Sequence, residues 1–361
     1  MTTSNVSSMN TNIASEKLKG AVAAGIKTAG ELVKSVLEEF PSDDLVRARA
    51  LTWGVRDNGA IDLGIQNRFP AHSHALTQIL TYLDIDTKGF RAMTLGNGVP
   101  APQWKRDLAR DMLVEYFKHS GSTHLVRRQA GEVRGFLSDK YRRLDSRPMI
   151  DAFVNACAAF GAVPYSGTRC ATKCSLKMII PQIMEVIPGE PVAFGLEFAN
   201  SDFGDGGLAI RAFILRLMCL NGATAEDVMR KVHLGGRLSE DIEYSKETLR
   251  LDTEATVSAL KDTVRAALLP EKREQMLNRI RNAQEESVTW DRLKQRLSKD
   301  LSKEELQKAK DSFESPDVVN LPAEQTMWRA SNALSWIAQQ ATTPDRKLDL
   351  ERLAGKLLIA A

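Results

Sequence analysis

Apolar positions between residues 193 and 236, AFGLEFANSDFGDGGLAIRAFILRLMCLNGATAEDVMRKVHLGG, form two short runs around a turn, and the rest of the chain is organised about them. Ala193 to Ala199 is apolar and short, and Asn200–Gly207 carries turn-forming residues at nearly every position. Leu208 to Leu220 is apolar on both parities, interrupted only by Arg211 and Arg216. That pattern predicts a strand covered on both faces, although periodicity alone also fits a buried helix. Asn221-Gly222 ends the run, and Thr224 followed three residues later by Asp227 resembles a capping box, predicting a helix over Ala225–Val232.

Upstream, residues 1–14 are rich in Ser, Thr and Asn and are expected to be disordered. Ser15 is the expected cap of a helix to about Phe40, with Leu18, Val22, Ile26, Ala29, Val33 and Val36/Leu37 at helical spacing. Ala50–Val55 and Ala60–Ile65 flank Asp57-Asn58-Gly59 as a hairpin. Ser73–Leu83 reads as a helix, and Pro100-Ala101-Pro102 opens another through Phe117 whose apolar face is Leu108, Met112 and Tyr116.

The segment THLVRRQAGEVRGFLSDKYRRLDSRP, from Thr123, reads as a second hairpin with Gly131-Glu132 as a type II′ turn. If Ala130 faces Val133, then Arg127 lies opposite Phe136, and one face carries Leu125, Arg127, Arg134, Phe136 and Lys140. A helix from Pro148 to Phe160 follows, then strands near Ala162–Lys173, Ser175–Pro181 and Ile183–Ile187.

From about Leu238 the texture becomes charged and helix-forming through Ser312, with 15 Lys/Arg against 17 Asp/Glu between residues 240 and 315. Such balance predicts long helices with a narrow apolar stripe rather than a polyanion-binding tail. Ser315-Pro316 to Pro322 reads as a linker, and Met327–Gln340 and Leu348–Leu358 as closing helices anchored by Trp328, Leu334 and Trp336. The expected organisation is a disordered 1–14, an α+β core over 15–237, a charged helical segment over 238–314, and helices at 323–361 that pack back on the core. The fold class expected is α+β, with a mixed, mainly antiparallel central sheet covered by helices from both ends.

Composition narrows function mainly by exclusion. The 361 residues carry a net charge of +3, too small to announce a polyanion partner by itself. No window reaches the roughly 18 apolar residues of a membrane span. The start MTTSNVSSMNTNIASEK lacks a basic and an apolar leader region, so a cytoplasmic protein is expected. The four cysteines are too few for a disulfide scaffold and are expected as thiols.

Local charge changes this picture. Thr123–Lys177 holds ten Lys/Arg against four acids, a local +6 that doubles the excess of the whole chain. Arg127, Arg128, Arg134, Lys140, Arg142, Arg143, Arg169, Lys173 and Lys177, interleaved with Phe136 and Tyr141, suit a surface that tracks a single-stranded backbone and stacks bases. The competing reading is a sheet face whose arginines pair with acidic carboxy-terminal helices. Cys170-Ala-Thr-Lys-Cys174 and His72-Ser-His74 lack a second ligand pair at zinc spacing and read as core thiols and a helix start. Asp202 and Asp205 are weak candidates for a divalent ion, against a purely structural turn. No nucleophile elbow, Walker or Rossmann spacing occurs, and no cofactor is expected.

Three segments carry a resemblance: Phe136-Leu-Ser-Asp-Lys-Tyr-Arg-Arg-Leu-Asp145; Phe198-Ala-Asn-Ser-Asp-Phe-Gly204 with Leu217-Met-Cys-Leu-Asn-Gly222; and Met327-Trp-Arg-Ala-Ser-Asn332. In order and spacing over about residues 45–361 they resemble the prophage- and plasmid-borne phage/plasmid-like protein family of unknown function. Lys140 stands where that family more commonly has arginine, which keeps charge but loses bidentate geometry. The resemblance implies a mobile-element setting near recombination or replication and no catalytic residues. The leading expectation is single-stranded DNA binding, extending to strand annealing, with self-association as a further expectation. The alternatives are an inhibitor or adaptor that docks a host protein through residues 240–312, and a metal-dependent nucleic-acid enzyme using Asp202 and Asp205.

Overall fold

The computed structural model describes residues 2–96, 98–231, 245–315 and 321–359, with backbone alone for 2–11, 221, 225–227 and 231. Helix α1 (Thr2–Glu38) leads to β1 (Ser42–Arg47), a 3-10 turn at Ala48–Ala50, and a meander of β2 (Thr52–Val55), β3 (Ile61–Gly64) and β4 (Arg68–Pro70). α2 (Ser73–Tyr82), α3 (Thr87–Thr94), β5 (Leu95–Gly96) and β6 (Val99–Pro100) precede α4 (Gln103–Lys118). The hairpin β7 (Thr123–Gln129) and β8 (Glu132–Ser138) is followed by α5 (Ser146–Ala158). Then come β9 (Val163–Arg169), β10 (Cys174–Ile179), β11 (Met184–Ile187), β12 (Glu190–Asn200), β13 (Leu208–Arg216) and β14 (Asn221–Lys231). α6 (Lys246–Ala267), α7 (Pro270–Glu285), α8 (Trp290–Leu297), α9 (Lys303–Glu314), α10 (Met327–Gln339) and α11 (Pro344–Ile359) complete the chain.

The class is α+β, and every strand ladder is antiparallel. The central sheet has six strands, and three smaller sheets accompany it, two of three strands and one of two. A large sheet runs β14-β13-β12-β10-β9 with β11 on β12, and a three-stranded sheet runs β1-β7-β8. Helices from both ends of the chain cover the large sheet: α1 and α5 contribute Leu32, Val36, Met149 and Phe153 to its main core, and α6 to α11 contribute Leu260, Ile280, Phe313, Trp328 and Leu357. A second core under the hairpin joins Val126, Val133 and Phe136 to Trp53, Ile79 and Phe117.

Several sequence expectations are corrected here. The helix begins at Thr2 instead of Ser15, and no glycine or proline interrupts it before Gly20. Ser, Thr and Asn are only a few tenths of a kcal/mol weaker helix formers than the average residue, so an anchored helix propagates through them. Ala225–Val232 is not helical: its described part continues β14, which pairs with β13 from Arg216↔Asn221 to Leu208↔Lys231. A buried strand such as β13 needs both edges of its backbone hydrogen-bonded, and that demand overrides the local capping signal. The β7–β8 turn is Ala130-Gly131, at φ 52° and 74°, giving pairs Gln129↔Glu132, Val126↔Phe136 and Arg127↔Gly135 instead of the expected register. Two successive positive φ values are the type I′ pattern, which matches the twist of the flanking strands. On α4 the buried residues are Arg106, Ala109, Leu113 and Phe117; of the expected Leu108/Met112/Tyr116 face, Leu108 and Tyr116 are exposed and Met112 alone packs partly against the core. Residues 232–244, including the expected start of the charged segment, and residues 316–320 of the linker lie outside the described residues.

Helix α1 crosses β9 at two glycines. A Cβ on Gly25 would sit 1.8 Å from the Tyr165 carbonyl oxygen, and one on Gly167 would sit 2.5 Å from the Thr28 carbonyl oxygen. Backbone atoms cannot swing aside as a side chain can, so Gly167→Val is expected to cost at least about 1–3 kcal/mol by forcing the helix off the sheet. A urea midpoint unchanged from wild type would show that α1 does not pack there.

Candidate functional site

The basic hairpin is where the sequence places its binding surface, and most of its cations are engaged inside the protein. Arg127 is 1% exposed on β7. Its guanidinium donates to Asp43 at 2.7 Å, to Asp145 at 2.8 Å and to the Asp202 carbonyl at 2.5 Å. Burial alone would weaken its charge, but Asp145 and Asp43 outweigh that and hold it more firmly protonated. Arg143 shares Asp43 at 2.7 Å, Arg128 pairs with Asp44 at 2.9 Å, and Arg169 with Glu39 at 3.3 Å. Arg134 pairs with Glu132 and bonds the Ala171 carbonyl, and Arg142 pairs with Asp252 on α6. Lys173 reaches Asp205 and Asp345, and Lys177 pairs with Glu351 of α11 in the core. Phe136 is buried against the His124 ring, 4.4 Å between centroids, and Tyr141 is partly buried. Lys140 lines an open groove at the end of the hairpin away from its turn, while Arg128 lines a smaller cavity together with Asp44 and Phe69.

The Asn200–Gly207 loop joins the two sheets. Asp202 accepts from the Ser146 amide and hydroxyl, both at 2.7 Å, which caps the amino terminus of α5. Burial, reinforced by nearby Asp145, pushes its carboxyl up to about 6. Asp205 accepts from the Thr172 hydroxyl at 2.6 Å. The Phe203 carbonyl accepts from Gln78 at 2.9 Å and from His74 Nε2 at 3.1 Å. His72 caps α2 by accepting from the His74 amide. Among the described residues no cluster of three or more His, Cys, Asp or Glu could hold a metal ion. Cys170 lies in the β9–β10 turn while Cys174 opens β10, so the two are not on one strand face. Both thiols are pushed up to about 12, chiefly by burial, and are protonated at neutral pH.

An open groove lies at the end of the hairpin away from its turn. It encloses about 1000 Å³ and is lined by Thr77, Tyr82, Ser122, His124, Ser138 and Lys140, among others. The Tyr82 ring is 48% exposed at its wall, and its edge meets the His124 ring at 4.6 Å. Three arginines that the local charge count passed over approach this groove. Arg47 pairs with Thr123 across β1 and β7, so their side chains share a face. Arg49 sits in the 3-10 turn whose Ala48 amide donates to the Ser122 carbonyl at 2.9 Å. Arg91 donates to the Thr77 hydroxyl at 2.9 Å. All three are exposed, and among the described residues none of them forms an ion pair. The one sequence signal for them is the Arg47-Ala-Arg49 alternation; Arg91 stands alone.

Hydroxyls form a chain along the groove. Tyr82 and Ser122 lie 2.9 Å apart, Ser120 and Ser122 2.7 Å, and Ser122 Oγ and His124 Nε2 2.8 Å. Burial lowers the pKa of His124, opposed by the Leu137 carbonyl and by Asp139, so the ring is neutral at pH 7. In the Ser122–His124 contact either Oγ or Nε2 can be the donor, according to the tautomer of the ring.

No family model, curated protein or solved structure matches the chain. Among the described residues no helix is long and apolar enough to cross a membrane.

Proposed function

We propose that the chain binds single-stranded DNA in the groove at the open end of the β7–β8 hairpin, with strand annealing as the extension of that activity. The observation that carries this reading is the contrast in charge. Lys140 apart, the hairpin cations are neutralised internally, whereas Arg47, Arg49 and Arg91 neighbour the groove lining with no carboxylate partner among the described residues, and outnumber the one carboxylate in that lining, Asp139. Cations without partners attract phosphate and release its counterions, while paired ones must first give up a carboxylate. Tyr82 offers a face on which an unpaired base can stack, and the hydroxyl lining offers hydrogen bonds to base edges. The resemblance to phage/plasmid-like proteins adds a setting in which exposed single strands are handled. In this reading Lys140 keeps the role assigned from the sequence, and Arg127, Arg134 and Lys177 become structural.

Simultaneous Arg47→Ala, Arg49→Ala, Arg91→Ala and Lys140→Ala is expected to weaken binding of a labelled oligonucleotide on the order of 100-fold at low salt. The log-log salt slope should fall by up to roughly 2.8, at about 0.7 per phosphate. A folded variant that binds as tightly as wild type, with an unchanged slope, rejects the groove as the site. A second reading, docking of a protein partner, is favoured by one feature. α4 turns Trp104, Leu108 and Tyr116 outward at 64%, 53% and 48% exposure, while the 240–312 segment proposed for docking buries Leu260, Ile280 and Leu293. If wild type binds no oligonucleotide at low salt, that reading moves to first place.

A further inference from the structure

The hydrogen-bonded Ser122–His124 pair does more than binding requires. Ser122 Oγ lies 2.8 Å from His124 Nε2, both residues line the groove, and Ser122 is linked at 2.7 Å and 2.9 Å to Ser120 and Tyr82; in the tautomer that carries its proton on Nδ1, Nε2 can take the serine proton. His124 is itself fixed between the stacked Phe136 ring and the edge-on Tyr82 ring. A nucleophile within hydrogen-bond reach of a base that neighbouring groups hold in place is the arrangement that activates a serine. Cations beside the same groove suit a substrate whose reacting centre is anionic. We infer that Ser122 is a nucleophile that opens a phosphodiester of single-stranded DNA bound in the groove. The inference rests on the nucleic-acid reading of that groove.

The step balances without a redox partner and consumes no water. Ser122 Oγ bonds to phosphorus as its proton passes to His124 Nε2. The P–O3′ bond breaks on the side opposite the attack, so the departing 3′ oxygen takes its proton from solvent, and His124 later returns to solvent the proton it took. The products are a strand joined through its 5′ phosphate to Ser122 and a strand with a free 3′ hydroxyl. Attack by that hydroxyl, or by another, reverses the step and rejoins DNA. Lys140 lines the groove, and Arg47, Arg49 and Arg91 neighbour its lining residues, so these four are the cations available to balance the charge of the phosphoryl group.

The test uses the full-length protein with a labelled single-stranded oligonucleotide and, separately, bis(p-nitrophenyl) phosphate. Binding is followed by anisotropy and covalent attachment on a denaturing gel, with peptide mass locating the adduct. Wild type is expected to form an adduct at Ser122 and to release nitrophenolate. Ser122→Ala should reduce both by more than 100-fold, beyond any change in its binding at the same salt, and His124→Gln by at least tenfold. If the alanine variant does not fold by circular dichroism, Ser122→Cys, close in size, takes its place, and its adduct should shift to a thiol-linked mass or vanish. Oligonucleotide binding without adduct or nitrophenolate release overturns the inference and leaves the binding reading standing. Ser122-dependent release of nitrophenolate without oligonucleotide binding supports the nucleophile and overturns the DNA reading. Activity undiminished in Ser122→Ala, or neither binding nor release in wild type, overturns the inference.

Discussion

Arg127→Met is expected to lower the unfolding free energy by roughly 3–5 kcal/mol, because removing one member of a buried ion cluster leaves the others desolvated and unpaired. Arg127 is the point where β1, the β7 strand, the approach to α5 and the Asn200–Gly207 loop meet, through Asp43, Asp145 and the Asp202 carbonyl. Methionine fills most of the same volume, so the loss reports charge and hydrogen bonding more than a cavity. Arg128→Met is the comparison: its pair with Asp44 is more exposed, at 26% and 44% of the side chains, and should contribute at most about 1 kcal/mol. The deficit should also depend on pH. Asp202 is already held near 6 in the folded protein, above its ordinary 3.8, so its contribution to stability is greatest below about 4 and is lost as pH rises through 6. Without the Arg127 charge the Asp202 carboxyl should rise further, and lowering the pH from 7 toward 5 should recover part of the loss. Urea denaturation of both variants at pH 7 and pH 5 checks this; a loss below 1 kcal/mol for Arg127→Met would mean the cluster is not what joins the two sheets.

Trp328→Ala is expected to cost about 3–5 kcal/mol, the range for deleting a buried large aromatic side chain. α10 is buried over nearly its whole surface, and Trp328, 1% exposed, stands in the core with Phe313, Ile337 and Leu357. Trp336 lies on the same helix but is only partly buried, so Trp336→Ala should cost less than half as much. Trp328→Phe should be milder than either expectation based on volume alone, because the indole N–H has no hydrogen-bond partner and its removal relieves a buried unsatisfied donor. Thermal melts of the three variants rank them; equal losses for the two alanine variants would refute this account of how residues 323–361 are anchored.

The candidate site was only partly legible in the sequence. The count of ten cations between Thr123 and Lys177 correctly marks a segment dense in charge, but it compares each arginine with its chain neighbours. The carboxylates that neutralise them stand at Glu39, Asp43, Asp44, Asp252, Asp345 and Glu351, most of them far along the chain. Arg47, Arg49 and Arg91 passed unnoticed for the converse reason. They lie in ordinary segments, and folding sets them beside residues of one groove from β1, a 3-10 turn and α3. Ser122 and His124 are two residues apart, a spacing with no motif attached, and became a pair only when β7 placed one above the other beside Tyr82.

By itself the sequence determined the α+β class, the hairpin at Asp57-Asn58-Gly59, the Asn200–Gly207 turn, the succession of strands from residue 163 to 216 and the helices of the carboxy-terminal third. These follow from local physics: side-chain period, turn residues that reach unusual φ, and caps that satisfy helix ends. Tertiary structure decided what local rules leave degenerate. α4 carries two apolar stripes of nearly equal strength, and packing against β2 and the second core chose Leu113 and Phe117 over Leu108 and Tyr116. Asn221–Lys231 could cap a helix or extend a sheet, and the free edge of the buried β13 chose the sheet. Whether an arginine is a ligand-binding charge or an internal strut was decided by which carboxylate the fold brings into ion-pair contact with it, and neither periodicity nor composition encodes that distance.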